Sequence, residues 1–267
     1  MSGENWVVIK IGGSILDNEK AVLPLVKQIS ELIALGKKPI IVHGGGPFIN
    51  RMLAEKGVQP VFVDGLRVTD GQTLSLAIEA LDYVNSFIAA ALVKSKIKAV
   101  RLNSRSQLLS CKKAAPAGPD KLDLGHVGEI ESVDTALIER FAGCVPVICP
   151  IGSDVKHRYY NVNGDHAAMA VAAALEAEVL VFLSDVPGVL TDKTNPETRI
   201  PSMAAARADE LIESGIISGG MIPKINNCLA AIKNGVKQAS IADGRSPQGL
   251  LDSIFQPVLS GTAITSA

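Results

Sequence analysis

The sequence predicts an α/β fold, a three-layer αβα sandwich around a central, mainly parallel sheet. Two observations carry this reading. Short β-branched runs alternate with longer runs of helical period along the chain, and several of those strand-like runs end in glycine or polar turns where a helix would begin. At 267 residues the chain can bury a substantial core as one large domain or two lobes. No internal repeat or low-complexity segment interrupts it.

The first strand is "WVVIKIGG", running from Trp6 into a glycine turn. A helix follows from Ala21 to Leu35, because Val22, Leu25, Val26, Ile29, Leu32 and Ile33 recur at helical spacing. On those bounds Pro24 falls in the first turn, where it is tolerated, and Gly36 supplies the stop. "KPIIVHGGG" is the next strand. Phe48, Ile49, Met52 and Leu53 mark the helix after its glycines, and a long helix extends from about Gln72 to Val93. Strands near 98–102, 145–149, 179–184 and 238–242 then alternate with helices near 132–141, 165–176, 205–214 and 223–234. The interval from Gln107 to Glu129, rich in proline and glycine, breaks the alternation and reads as a hairpin or lid loop. A lobe boundary near Leu175 divides the chain into residues 1–174 and 175–267.

Charge and cysteine usage narrow the function classes. Lysine and arginine number 26 against 27 acidic residues, so no polyanion partner is expected and nucleic-acid binding is a poor fit. No uninterrupted apolar run reaches the roughly 20 residues of a membrane span, and "MSGENWVVIK" lacks the charged and apolar regions of a leader. A soluble cytoplasmic protein is expected. Cys111, Cys144, Cys149 and Cys228 form no CxxC pair and predict apolar packing in place of zinc or disulfides.

Three strand-to-helix junctions concentrate glycine and polar residues: Lys10–Ser14, Gly44–Pro47 and Asp185–Gly188. In a parallel sheet all three lie at the carboxyl edge, where helix amino-termini aim N–H groups at anions. A phosphate-handling site is the hypothesis, though neither GxxxxGK[ST] nor GxGxxG occurs. Lys10, inside an apolar strand, needs a partner or an anion unless it snorkels to solvent. Lys224 follows "SGGMIP" at a helix amino-terminus, a position that favours anions over cations. Asn161, Asn163 and Asp165 precede an alanine-rich helix, of which Asp165 could equally be the cap. Arg67, in "DGLRVTD", could grip a carboxylate with its fork or pair with Asp64 or Asp70. His126, His157 and His166 have no metal-ligand spacing and receive no catalytic part.

Taken in order, "VVIKIGGSIL", "IIVHGGGPFIN", "DGLRVTD", "LGHVGEI", "YYNVNGDHAAMAVA", "LVFLSDVPGVL" and "GIISGGMIPKI" resemble the acetylglutamate kinases of the amino acid kinase superfamily. The resemblance is collinear from about Trp6 to "SGTAIT". It implies the amino acid kinase fold, with an amino-terminal lobe for substrate and dimerisation and a carboxyl-terminal lobe for ATP. It also implies that MgATP phosphorylates the γ-carboxylate of N-acetyl-L-glutamate on the acetylated route to arginine or ornithine. In family terms Gly45 and Gly46 lie against the substrate, Arg67 grips its α-carboxylate and Asn161 holds the acylamino end. Lys10 and Lys224 meet the phosphoryl group from opposite sides, Asp165 orients both, and Gly12, Gly13 and Gly45 offer backbone N–H groups to phosphate. Asp185, Val186, Pro187, Gly188, Val189, Leu190, Ile216, Ile217 and Ser218 match the surroundings of ATP. No resident metal site is expected; Mg²⁺ would come with the nucleotide.

The stretch "AVRLNSRSQLLSCKK" departs from the family's glycine-rich turn, with Asn103, Ser104, Arg105 and Ser106 in its place, and leaves the acyl group open. In the family that this chain resembles, arginine-inhibited members carry an extra amino-terminal helix that joins dimers into a hexamer, so the resemblance and the short run before the first strand together lead to the expectation of a homodimer without strong arginine inhibition. Rival readings are a kinase for another N-acylated or carrier-linked acidic amino acid, and a catalytically idle amino acid sensor on the same scaffold.

Overall fold

A computed structural model describes residues 5–16 and 19–266 of the chain; residues 1–4, part of the stretch read above for a leader, lie outside it. The chain begins with β1 (Trp6–Ile11), a short α1 (Gly13–Leu16), α2 (Glu19–Ala34), β2 (Lys38–His43) and α3 (Gly46–Glu55). A small hairpin, β3 (Phe62–Val63) and β4 (Leu66–Arg67), leads into the long α4 (Gly71–Lys94) and β5 (Ala99–Leu102). The predicted excursion is an antiparallel pair, β6 (Leu109–Lys113) and β7 (Gly128–Val133). There follow α5 (Thr135–Glu139), β8 (Val145–Ile148), β9 (Ile151–Ser153), β10 (Tyr159–Asn161) and α6 (Gly164–Ala174). The remainder is β11 (Val179–Ser184), β12 (Ser202–Ala204), α7 (Ala205–Glu213), α8 (Met221–Lys233), β13 (Gln238–Asp243), α9 (Gly249–Phe255) and β14 (Thr262–Thr265).

Eight strands form one sheet in the order β12-β14-β13-β11-β1-β2-β8-β5, parallel except where β14 runs against β13. The alternation of β1 sorts the two helical layers. Val7, Ile9 and Ile11 face a cluster that includes Val26 and Ile29 of α2, Val84 and Ile88 of α4 and Leu250 of α9. Val8 faces the opposite cluster, with Ala167, Ala168 and Val171 of α6 and Ile225 and Cys228 of α8. Full burial of each such aliphatic side chain contributes about 1.5–3 kcal/mol, so the period-two pattern of β1 fixes which helices it touches. A second sheet, β10-β9-β6-β7, sits beside the first. It comes from the excursion and from two strands too short to be read from periodicity.

Three expectations need adjustment. The second helix begins at Glu19, so Pro24 is in its second turn, where the missing N–H removes a bond to the carbonyl of residue 20. The helix expected near 132–141 shrinks to α5, because residues 132 and 133 finish β7. Third, α4 is long and apolar enough by length and composition alone to cross a membrane, with a mean hydropathy of 1.6 over its best window. Glu79, Asp82 and Asn85 mask that character in the sequence. The helix is half buried, packed on α3 and β5.

Candidate active site

β1 is the switch point of the sheet: the chain passes from it to β2 on one side, and β11 lies on the other. Ligands in open parallel sheets bind outside the carboxyl ends of strands at such a point. Two cavities flank the end of β1, and both include Lys10, Gly13 and Ser14 in their walls. One, of about 380 Å³, is lined by the Gly44–Gly46 turn, Arg67, Asn161 and Asp165 among others. Its neighbour, of about 670 Å³, is lined by Gly12, Asp185 to Leu190, Ile216 to Ser218 and Lys224. The candidate site residues singled out from the sequence therefore converge on this paired site, from six separate stretches of chain.

Because Lys10 shares the face of Val8, its side chain points toward α6 and α8. Asn163 caps α6, accepting from the N–H groups of Asp165 and His166, so Asp165 is a first-turn residue and not the cap. Lys10 Nζ stands 2.8 Å from Asp165 Oδ1, off the line of a well-formed hydrogen bond, and Lys224 Nζ stands 3.2 Å from Oδ2. Burial pushes the Asp165 carboxyl up, but the two ammonium groups outweigh it and hold the group below the usual carboxylate value. One carboxylate thus faces two cations, leaving a net positive charge at the wall between the cavities.

The glycines owe their lack of side chains partly to one another. A Cβ on Gly13 would lie 2.7 Å from Pro47 Cδ and 3.1 Å from the Gly46 nitrogen, and one on Gly44 would lie 3.1 Å from the Gly13 nitrogen. The two junctions are packed backbone against backbone. Gly46, with nothing within 4 Å of its ideal Cβ, borders open space and starts α3. Gly12 donates its N–H to the Leu183 carbonyl at 3.0 Å, so it offers clearance and no free donor. Among the described residues the N–H groups of Gly13 and Gly45 have no protein acceptor.

Arg67 pairs with neither Asp64 nor Asp70. Asp70 caps α4 by accepting from the Thr73 N–H, and Asp64 accepts from the Gly118 N–H. Instead the guanidinium lies over Phe62, 4.6 Å from the ring centre, and Nη2 donates to Asn50 Oδ1 at 2.7 Å. Burial lowers its pKa, and Nη1 is buried without a partner among the described residues. A buried unpaired donor costs on the order of 1–3 kcal/mol, more when charged, so this cavity wall is built for an anion. Asn161 Nδ2 donates to Thr69 Oγ1 at 3.2 Å, and Thr69 in turn donates to the Arg67 carbonyl at 2.7 Å. The three histidines set aside from the sequence line neither cavity. Cys111, Cys149 and Cys228 are buried and free, and Cys144 is half-buried and free.

The sequence reading passed over Asn50, Phe62 and Lys193, the last of which lines the larger cavity and donates to Ser218 Oγ at 2.5 Å. It also passed over His43, which is fully buried. A polar residue closing an apolar strand immediately before three glycines was the available signal.

Residues 5–243 match the family model described as the amino acid kinase family. The chain belongs to the amino acid kinase family. Within it, the chain is 41% identical to an acetylglutamate kinase of Methanocaldococcus jannaschii, over 97% of this chain and 89% of that one. An acetylglutamate kinase of Moorella thermoacetica is 38% identical over 97% of this chain and 90% of its own length. Among solved structures, an N-acetylglutamate synthase of Neisseria gonorrhoeae complexed with coenzyme A and L-arginine superposes with a TM-score of 0.85 at 27% identity. That match takes in all of this chain but only 62% of the synthase. A carbamate kinase of Giardia lamblia shares the fold alone, with a TM-score of 0.69 at 14% identity over 99% of both chains.

Proposed function

We propose that the chain transfers the γ-phosphoryl group of MgATP to the γ-carboxylate of N-acetyl-L-glutamate, on the acetylated route to arginine or ornithine. The observation that carries this reading is the Lys10–Asp165–Lys224 cluster, set where the two cavities adjoin. The larger cavity takes the nucleotide, between Asp185–Leu190 and Ile216–Ser218. The smaller takes the acyl-glutamate, with its α-carboxylate on the free Nη1 of Arg67, its acylamino end at Asn161 and its γ-carboxylate toward Lys10.

A carboxylate is already ionised and nucleophilic at neutral pH, so the site needs no general base. One γ-carboxylate oxygen forms a bond to the γ-phosphorus as the bond from that phosphorus to the bridging oxygen breaks. ADP leaves with that electron pair. The work left to the protein is to align the two oxygens and offset charge on the phosphoryl group in flight. Lys10 approaches it from the substrate side and Lys224 from the nucleotide side. Asp165 keeps both ammonium groups in place, and the free N–H groups of Gly13 and Gly45 add neutral donors. Mg²⁺ enters as part of the nucleotide.

Lobes of residues 1–174 and 175–267, the first for acyl-glutamate and the second for the nucleotide, belong to the same reading; its support is that the smaller cavity is lined by residues up to Asp165 and most of the larger by residues from Ser184 onward. A homodimer is part of the same reading. Its support is that Tyr83 and Val93 of α4 are each 60% exposed and that β5 ends the order of the main sheet. A cytoplasmic location fits these soluble substrates.

The deciding experiment is a hydroxylamine trap for acyl phosphate with N-acetyl-L-glutamate and MgATP. Hydroxamate should form in step with ADP. Silence with this acceptor, but turnover with another acylated acidic amino acid, would reassign the substrate; silence with all of them would favour the amino acid sensor. Within the same assay Arg67→Lys should raise the KM for acyl-glutamate about tenfold or more, because a point charge replaces the two-pronged fork. An unaltered KM would remove Arg67 from the substrate.

A further inference from the structure

Between α4 and the glycine turn runs a chain of hydrogen bonds in which every proton is placed by its neighbours. His43 Nδ1 lies 3.0 Å from the Gly44 carbonyl oxygen. That oxygen can only accept, so Nδ1 carries the proton and Nε2 is bare. Asn85 Nδ2 lies 3.3 Å from Nε2 and donates to the Val147 carbonyl at 2.8 Å, so one amide hydrogen serves each acceptor. The Asn85 flip is fixed in turn, because Arg101 Nε donates to Asn85 Oδ1 at 3.1 Å. Both His43 and Asn85 are fully buried. A second proton on His43 would set Nε2–H against the Asn85 N–H, and burial already pushes the imidazole down to about 4.

We infer that His43 is a positioning residue for phosphoryl transfer: held by Asn85 and Arg101, it clamps the Gly44 carbonyl and so aims the Gly45 N–H. The link is covalent geometry. In a trans peptide the C=O of Gly44 and the N–H of Gly45 point in opposite directions, so the bond that anchors the oxygen sets the direction of the amide. The Gly45 N–H is among the donors at this site without a protein acceptor among the described residues. Three glycines in succession give that peptide wide conformational freedom. The imidazole removes that freedom at the position where misplacement by about 1 Å can cost 10²-fold in rate. Arg101 belongs to β5, the edge strand, and its Nη2 also reaches the Asp82 carbonyl at 3.3 Å. The same Asp82 fixes the unusual 103–106 turn by accepting from the Ser104 N–H and hydroxyl at 3.1 and 2.8 Å. One helix thus ties the sheet edge, the atypical turn and the glycine cradle together.

This inference rests on the proposed kinase reading, and the experiment keeps the two apart. Purified full-length His43→Leu and His43→Asn are compared with the wild type for acyl phosphate formation. The amide nitrogen of asparagine takes the place of Nδ1, whereas leucine offers no donor. The leucine variant should lose at least about tenfold in kcat with the ATP KM within a factor of about two, and the asparagine variant should recover most of the loss. A folded leucine variant with wild-type kcat, or an asparagine variant no better than it, would overturn the clamp. A ¹H–¹⁵N spectrum of the wild type adds a readout independent of turnover and of the variants' folding. Protonated Nδ1 with bare Nε2 on His43 is expected, and the opposite tautomer would refute the inference even in a protein shown to be inactive on acyl-glutamate.

Discussion

Lys224→Ala is expected to lower kcat for acyl phosphate formation by roughly 10²- to 10³-fold, the range for removing one well-aimed donor from a transition state. The KM values for both substrates should stay within a factor of about three. The reason lies in where the ammonium is held. Its Nζ is kept 3.2 Å from Asp165 Oδ2 at the edge of the larger cavity, near the amino-terminus of α8. A helix start repels a cation, so the position makes sense only if negative charge arrives there. That charge is greatest at the phosphoryl group as it leaves ADP, which makes the interaction one of the transition state more than of binding. Rapid-quench measurement of a single turnover would separate this step from product release. An unchanged single-turnover rate would exclude Lys224 from the chemistry.

Asp165→Asn is the second large effect, and it reaches stability as well as rate. The substitution keeps the shape of the side chain but removes the one charge that offsets Lys10 and Lys224. Two cations then face each other across a largely buried site, and breaking a buried pair in this way costs about 3–5 kcal/mol. The residual exposure of Lys224 places the expected loss at the lower end. In the same variant kcat should fall by at least 10²-fold, because both lysines lose their common anchor. The pH dependence gives a further check. The Asp165 carboxyl is held below its ordinary value, so its stabilisation is present above the unfolded carboxylate range and lost as pH falls through the folded value. Melting temperatures of the two proteins should therefore differ near neutrality and converge in acid. A constant gap across pH would mean that charge is not what Asp165 contributes.

Both predictions begin from residues that were legible as anomalies. Lys10 interrupts an apolar strand, Lys224 sits where a helix repels cations, and Arg67 follows a turn with no obligatory partner. Each breaks a local rule, and each lines the cavities at the carboxyl edge. The order of strands and helices was equally open to reading, since buried parallel strands write themselves as short β-branched runs. What escaped notice was held by long-range pairing. His43 gains its meaning from Asn85, 42 positions later, and from Arg101, 58 positions later, and no periodicity links them. Strands such as β9 and β12, with three residues each, are defined by their neighbours more than by their own composition. Among the glycines, Gly46 borders open space, whereas Gly13 and Gly44 are places of close approach. Part of what approaches them is another glycine turn of the same chain.

The ladder between β1 and β11 bears on how the two substrates can be brought together. Five consecutive residue pairs, Val7 with Val179 through Ile11 with Leu183, join the side of the smaller cavity to that of the larger within one uninterrupted sheet. No loose connection separates the halves, so they cannot swing as bodies on a hinge without rupturing those bonds. The compliant coordinate left to the molecule is the twist of the sheet about β1, which can open or narrow the two cavities while every bond of the ladder stays made. Lys10, near the end of that axis, would then travel least of all the groups in the site.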